Sequence, residues 1–201
     1  MSLKIYGDVL SGNCYKLKLL MAFLKIPHQW VHIDVVKGES RTPEFLAKNP
    51  NGKIPLLELD NGEFLPESNA ILYYLASGSP WLPTDTLARA RVLQWMFFEQ
   101  YSHEPCIAVA RYINKYLGLP ESRRADYESK QAGGHRALAV MEQQLAQHAF
   151  LVGTTPTIAD IALYAYTHVS HEGGFNLSSY PGIRAWLERM ATLPGYVGMT
   201  D

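Results

Sequence analysis

The chain has 201 residues, 18 Lys and Arg against 19 Asp and Glu, and 47% hydrophobic residues, which suits a folded protein with its own core and excludes a disordered chain. Residues 1–78 carry eight basic and eight acidic groups and residues 79–201 carry ten and eleven, so neither half is a basic platform for nucleic acid. No apolar run approaches the length of a membrane span, and Cys14 and Cys106 form no CxxC pair, which fits a reduced, cytoplasmic protein without membrane contact.

Leu3–Tyr6 alternates apolar and polar residues and is predicted as a strand. After a Gly-containing loop, the stripe Leu17, Leu20, Met21 and Leu24 predicts a helix from Asn13 to Lys25, stopped by Pro27. Alternation returns over Trp30–Val35, a second strand. Pro43 starts a short helix, because proline in a first turn forfeits an N–H that has no partner there. A third strand opens on Ile54-Pro55, and Asp60-Asn61-Gly62 turns the chain into a fourth. A helix then opens on Glu67-Ser68. The order β-α-β-α-β-β-α combines a βαβ unit, which calls for a parallel pair, with a hairpin and a helix. That is the plan of a thioredoxin-like α/β domain over residues 1–78.

Gly78–Pro83 is rich in Gly, Ser and Pro, so residues 79–84 are assigned as a linker. Residues 85–201 are predicted to be an all-helical bundle. Leu93, Met96, Phe97 and Tyr101 form one stripe, with Pro105 expected to kink or break the helix, and Leu138, Met141 and Leu145 form another. Thr157-Ile158-Ala159-Asp160 is a capping box ahead of Ile158, Ile161, Ala162 and Ala165. Pro181 opens a last helix bearing Ile183, Trp186, Leu187 and Met190.

The candidate chemistry clusters in the first domain. A cis Ile54-Pro55 bond leaves the Ile54 backbone free to pair with an extended peptide; a trans proline at a strand start is the alternative. Glu67 and Ser68 stand where helix N–H groups favour a ligand carboxylate and where Glu67 can hold an ammonium, or else they are plain capping residues. Arg41 and Lys53 can hold a second carboxylate or be solvated surface charges. Ser11-Gly12-Asn13-Cys14 follows the first strand, where a hydroxyl or amide donor would stabilise a thiolate. Ser11 is the first choice as donor, with Asn13 as a helper and helix capping as the alternative role for Ser11. Cys14 is either a redox nucleophile or a small apolar residue. In the helical half, His103, Tyr166 and His168 are candidates to line an apolar pocket. His28 with His32, and His168 with His171, lack a third ligand at metal spacing, so no metal site is expected.

In order and at these spacings, three segments resemble the cytosolic glutathione S-transferases of bacteria: NPNGKIP, LPESNAILYYL and TPTIADIALYAY. The resemblance covers the whole chain. It implies that Ile54 pairs with the cysteinyl part of glutathione beside a cis Pro55, that Glu67 and Ser68 hold the γ-glutamyl end, and that Lys53 and Arg41 lie toward the glycine carboxylate. Ser11 falls on the activating hydroxyl of serine-type members and Asn13 on the assisting Asn of some bacterial ones. Tyr6 falls on the catalytic phenol of tyrosine-type members, or is a packed strand residue. The implied function is attack of the glutathione thiolate on an electrophile held by the helical domain, in a homodimer without metal. Reduction of a disulfide or peroxide at the same site is the alternative, and a non-catalytic glutathione-binding or dimerisation module is a second.

Overall fold

The structure is a computed structural model that describes residues 3–201. It divides into two compact units. One holds the chain up to Ser79 together with Pro194–Asp201, and the other is Pro80–Leu193. The expected helical span of 85–201 thus differs at its end, because the last eight residues pack with the first unit. Tyr15 Oη donates to Val197 O at 2.8 Å, and Lys18 Nζ donates to Met199 O at 3.1 Å.

The first unit is the thioredoxin-like βαβαββα arrangement. Its elements are β1 (Leu3–Gly7), α1 (Gly12–Leu24), β2 (His28–His32), α2 (Pro43–Lys48), β3 (Leu56–Glu58), β4 (Phe64–Pro66) and α3 (Ser68–Leu75). The sheet order is β2-β1-β3-β4. β1 and β2 run parallel, and the β1/β3 and β3/β4 pairs are antiparallel. Side chains alternate across the pleat. Tyr6 and Leu56 therefore pack on one face with Phe45 of α2, Val31, Ile33, Ile54 and Phe64. Ile5 and Leu57, also fully buried, point to the other face, and α1 and α3 lie side by side.

Two boundaries differ from the sequence expectation. The second strand is His28–His32, not Trp30–Val35, because its register runs from Leu3↔His28 to Gly7↔His32 and β1 offers no residue beyond Gly7. α1 ends before Pro27 acts on it, as Lys25 turns left-handed (φ 54°) and its N–H closes on Ala22 O.

The second unit holds α4 (Thr86–Phe98), α5 (Glu104–Arg111), α6 (Arg124–Leu145), α7 (Ile158–Thr167) and α8 (Pro181–Ala191). Pro105 does not break the chain's helical path. A wider π-helical turn, Glu99–His103, precedes it and absorbs the lost N–H. The predicted stripe is corrected in the same place. Met96 is buried, but Phe97 is 68% and Tyr101 is 88% exposed, and Val92, Trp95 and Glu99 face inward instead. The capping box at α7 is formed: Thr157 N–H donates to Asp160 Oδ2 at 2.8 Å. Asp160 also accepts from Leu151 N–H and Trp186 Nε1–H, each at 2.9 Å, so it ties three segments of the bundle together.

Candidate functional site

The sheet topology brings the candidate residues of the first unit to one end. β1 and β4 finish at the end where β3 begins. Carrying the β3/β4 register two residues past Leu56↔Pro66 sets Ile54 opposite Ser68, and carrying β1/β3 past Tyr6↔Leu56 sets Ile54 opposite Asp8. The β1–α1 loop, Ile54 and the start of α3 therefore share one edge of the unit.

Ile54-Pro55 is cis. Among the described residues, the Ile54 backbone N–H and C=O have no hydrogen-bond partner in the chain. The turn before it is built by buried Asn49. Its Nδ2 donates to Lys53 O at 2.7 Å, its Oδ1 accepts from Asn51 N–H at 3.2 Å, and its backbone O accepts from Gly52 N–H at 2.9 Å. Arg41 closes on this turn, donating from Nη1 to Asn51 O at 3.1 Å. The φ of +62° at Gly52 favours glycine, and a Cβ would lie 2.7 Å from that nitrogen, so any other residue would also push the Arg41 head aside. Lys53 beside this turn and Arg41 packed against it are thus exposed cations near Ile54.

At α3 the cap position is Glu67, not Ser68. Glu67 has φ 70° and ψ 110°, makes no side-chain capping bond, and is exposed. A non-glycine residue in that conformation costs on the order of 1–3 kcal/mol, so local stability does not explain a glutamate there. The first helical bond is Ile71 N–H to Glu67 O at 2.9 Å. Donors of the first turn ahead of it open past the helix end, where negative charge is favoured.

Ser68 is buried, and its hydroxyl donates to Asn13 Oδ1 at 3.2 Å, joining α3 to the first turn of α1. Among the described residues, Asn13 Nδ2 has no partner in the chain. Ser11 is the N-cap of α1, its Oγ accepting from Cys14 N–H at 3.4 Å. Cys14 itself is fully buried, and burial pushes its thiol up to about 12 against hydrogen bonding from Ser11 and the Asp8 backbone. A Cβ on Gly7 would lie 2.8 Å from its Sγ, so the thiol faces the sheet. It is the small apolar residue, not a poised nucleophile. Tyr6 is likewise packed. Its phenol donates to Glu58 Oε2 at 2.5 Å, and burial with that carboxylate pushes it up to about 12.

The helical candidates for an apolar pocket are held by contacts within their own unit. His103 is fully buried, and its Nε2 lies 3.0 Å from Thr167 Oγ1. The Thr167 hydroxyl donates to Leu163 O at 2.7 Å, so its oxygen receives the His103 Nε2–H. His103 is therefore tied to α7 through that nitrogen. Tyr166 is buried as well. His168 caps α7, donates from Nδ1 to Tyr164 O at 2.8 Å and stacks on the Tyr164 ring, and burial lowers it to about 4. Among the described residues, no group of three His, Cys, Asp or Glu could hold a metal ion, and no helix is long and apolar enough to cross a membrane.

One residue at the site escaped the sequence reading. Lys16 is fully buried, with Nζ donating to Ser68 Oγ and Asn69 Oδ1, each at 3.3 Å. Its signal was a lone cation between Tyr15 and Leu17 on the inward side of α1.

A thioredoxin-like unit with an open strand edge beside a helix N-terminus, followed by a helical bundle, defines the class, and the comparisons agree. Residues 1–77 match the family description "Glutathione S-transferase, N-terminal domain", and residues 95–194 match "Glutathione S-transferase, C-terminal domain". The chain belongs to the glutathione S-transferase family. It is 57% identical, over the full length of both chains and with a TM-score of 0.98, to a glutathione S-transferase from Pseudomonas fluorescens Pf-5. A glutathione S-transferase from Xanthobacter autotrophicus Py2 is 48% identical with a TM-score of 0.91, covering 98% of this chain and 97% of that one. Among curated proteins, the disulfide-bond oxidoreductase YfcG of Escherichia coli K12 is 30% identical, covering 90% of this chain and 87% of YfcG.

Proposed function

We propose that this glutathione transferase binds glutathione along the end of its sheet and activates the thiol mainly through Asn13. The cysteinyl backbone pairs with the free N–H and C=O of Ile54 as an added strand. The γ-glutamyl carboxylate takes the backbone donors at the start of α3, and Glu67 holds the ammonium. Lys53 and Arg41, near Ile54, attract the glycine carboxylate. This places the sulfur toward the β1–α1 loop. There Asn13 keeps an amide NH2 to donate, while the Ser11 oxygen is held as the cap of α1 by Cys14 N–H and keeps its hydroxyl proton. Ser11 acts as the second donor and as the cap that shapes the loop. A charge-assisted hydrogen bond contributes about 1.5–3 kcal/mol, enough to lower a thiol by roughly one unit at about 1.4 kcal/mol per unit. The thiolate then attacks an electrophilic small molecule. The reading includes a homodimer and, from two unpaired cysteines, a cytoplasmic setting.

The observation that carries this reading is the Ser68–Asn13 bond, which sets an unused donor beside the strand edge and the helix start. The same observation gives weight to a second reaction. With Asn13 as the main donor, the bound thiolate can instead reduce a disulfide, as the name of the Escherichia coli relative suggests. Kinetics of Ser11→Ala and Asn13→Ala with a chloro-nitroaromatic and with a disulfide separate the two. Asn13→Ala is expected to lose more than Ser11→Ala with the reaction the protein carries out. Equal activity of both variants and the parent on both substrates would remove the mechanism.

A further inference from the structure

The geometry points to Lys16 as a positioning residue that fixes which end of the Asn13 amide meets the glutathione sulfur. The inference rests on the reading that Asn13 donates to that sulfur. The chain starts from a group that can only donate. An ammonium has three N–H donors and no acceptor. Lys16 Nζ gives one of them to Ser68 Oγ at 3.3 Å, and both side chains are buried. The Ser68 oxygen therefore receives, and its own proton goes to Asn13 at 3.2 Å. The atom that accepts a hydroxyl proton is the amide oxygen. The NH2 end is then turned away from Ser68.

The opposite orientation is disfavoured. The hydroxyl oxygen can receive both Nζ and Nδ2, but its proton would then lose Asn13 as its acceptor, at a buried serine where a missing partner is costly. A side-chain amide's two ends are distinguished by their hydrogen-bond network, and here the network has a donor-only head. Lys16, Ser68 and Asn13 form a one-way series that presents N–H, not C=O, to whatever docks at the β1–α1 loop. An N–H end stabilises a thiolate, whereas a C=O end would repel it. Lys16 need not touch the substrate for this, and its second bond, to Asn69 Oδ1 at 3.3 Å, holds it at the start of α3.

The test is an ultraviolet titration of glutathione bound at saturation to the full chain, run as a double-mutant cycle. Lys16→Met keeps the length and removes the donors. It is expected to raise the bound-thiol pKa by about one unit, the size of one charge-assisted hydrogen bond, and to lower kcat more than it raises KM. In an Asn13→Ala background the same substitution is expected to do nothing further to that pKa. An equal shift in both backgrounds would assign the effect to the bare charge and overturn the series, and so would no shift in the parent background. Ser68→Ala removes the middle of the series while keeping the Lys16 charge, and it gives the same cycle if Lys16→Met does not fold. A wild-type bound thiol that is not depressed at all would sink the site reading itself. A depressed thiol indifferent to both Lys16→Met and Ser68→Ala would sink this inference alone.

Discussion

Two polar clusters stand at helix starts, one in each unit, and they end differently. At α7 the Asp160 carboxylate receives Leu151 N–H, Thr157 N–H, the Thr157 hydroxyl and the Trp186 indole N–H at 2.8–3.2 Å. All four donors close on that one carboxylate. At α1 and α3 the series from Lys16 through Ser68 ends on an Asn13 NH2 that nothing in the described chain receives. Fully buried Asp160 is satisfied, as buried polar groups normally are, whereas Asn13 is half-buried and its donor stays open. The closed cluster holds the fold together, and the open one leaves a donor available to a ligand.

The comparison is broken most forcefully at Asp160. Asp160→Ala leaves those donors without their acceptor and is expected to cost on the order of 3 kcal/mol or more in urea denaturation. The bound-thiol pKa of the folded fraction should stay as in the parent. A thiol shift there would mean that the two clusters are not separate in role.

His168 tests the same unit by pH. Its folded-state pKa is lowered to about 4 by burial, below the usual unfolded value of about 6.5. The folded protein therefore binds fewer protons between those values. The His168 contribution to stability is full above about pH 6.5 and falls as pH drops toward 4, by on the order of 2 kcal/mol for this half-buried ring, while buried Asp160, raised to about 6, contributes in the opposite direction. His168→Gln should flatten that part of the stability profile, read as urea midpoints at several pH values.

Asn13→Ala addresses the open cluster. A loss of about 10–100-fold in kcat/KM, equivalent to 1.5–3 kcal/mol, is expected with little change in unfolding free energy. Glu67→Gly sharpens the distinction, because it should relieve the φ 70° conformation and raise stability by up to about 1 kcal/mol while weakening glutathione binding in calorimetry. Unchanged affinity would remove Glu67 from the site. The smallest effect belongs to Cys14→Ala. Activity should persist within about twofold and stability should fall by about 1 kcal/mol, because the thiol faces the sheet. Abolished disulfide reduction in that variant would restore Cys14 as a nucleophile.

What the sequence disclosed was mostly local. The alternation of β1, the prolines that open α2 and α8, and the Thr157–Asp160 box all act within a few residues, and each was legible. The glycine turn beside Ile54 and the Glu67-Ser68 step were legible as motifs. What escaped depends on partners far along the chain. β2 stops at His32 because β1 runs out. Phe97 faces outward because the inward face of α4 runs through Val92, Trp95, Met96 and Glu99, and Tyr101 stands exposed in the π-helical turn that follows. His103 points inward to Thr167, 64 residues away. Lys16 gains its role from Ser68, 52 residues later, and no spacing rule on α1 announces that meeting.

The most direct measurement is the thiolate absorbance of glutathione bound to the unmodified chain, followed from pH 5 to pH 10. A bound-thiol pKa at least one unit below the ordinary free-thiol value of about 8.5 is the expected result. A bound thiol titrating at or above the free one would contradict an open donor at Asn13 and the chemistry built on it.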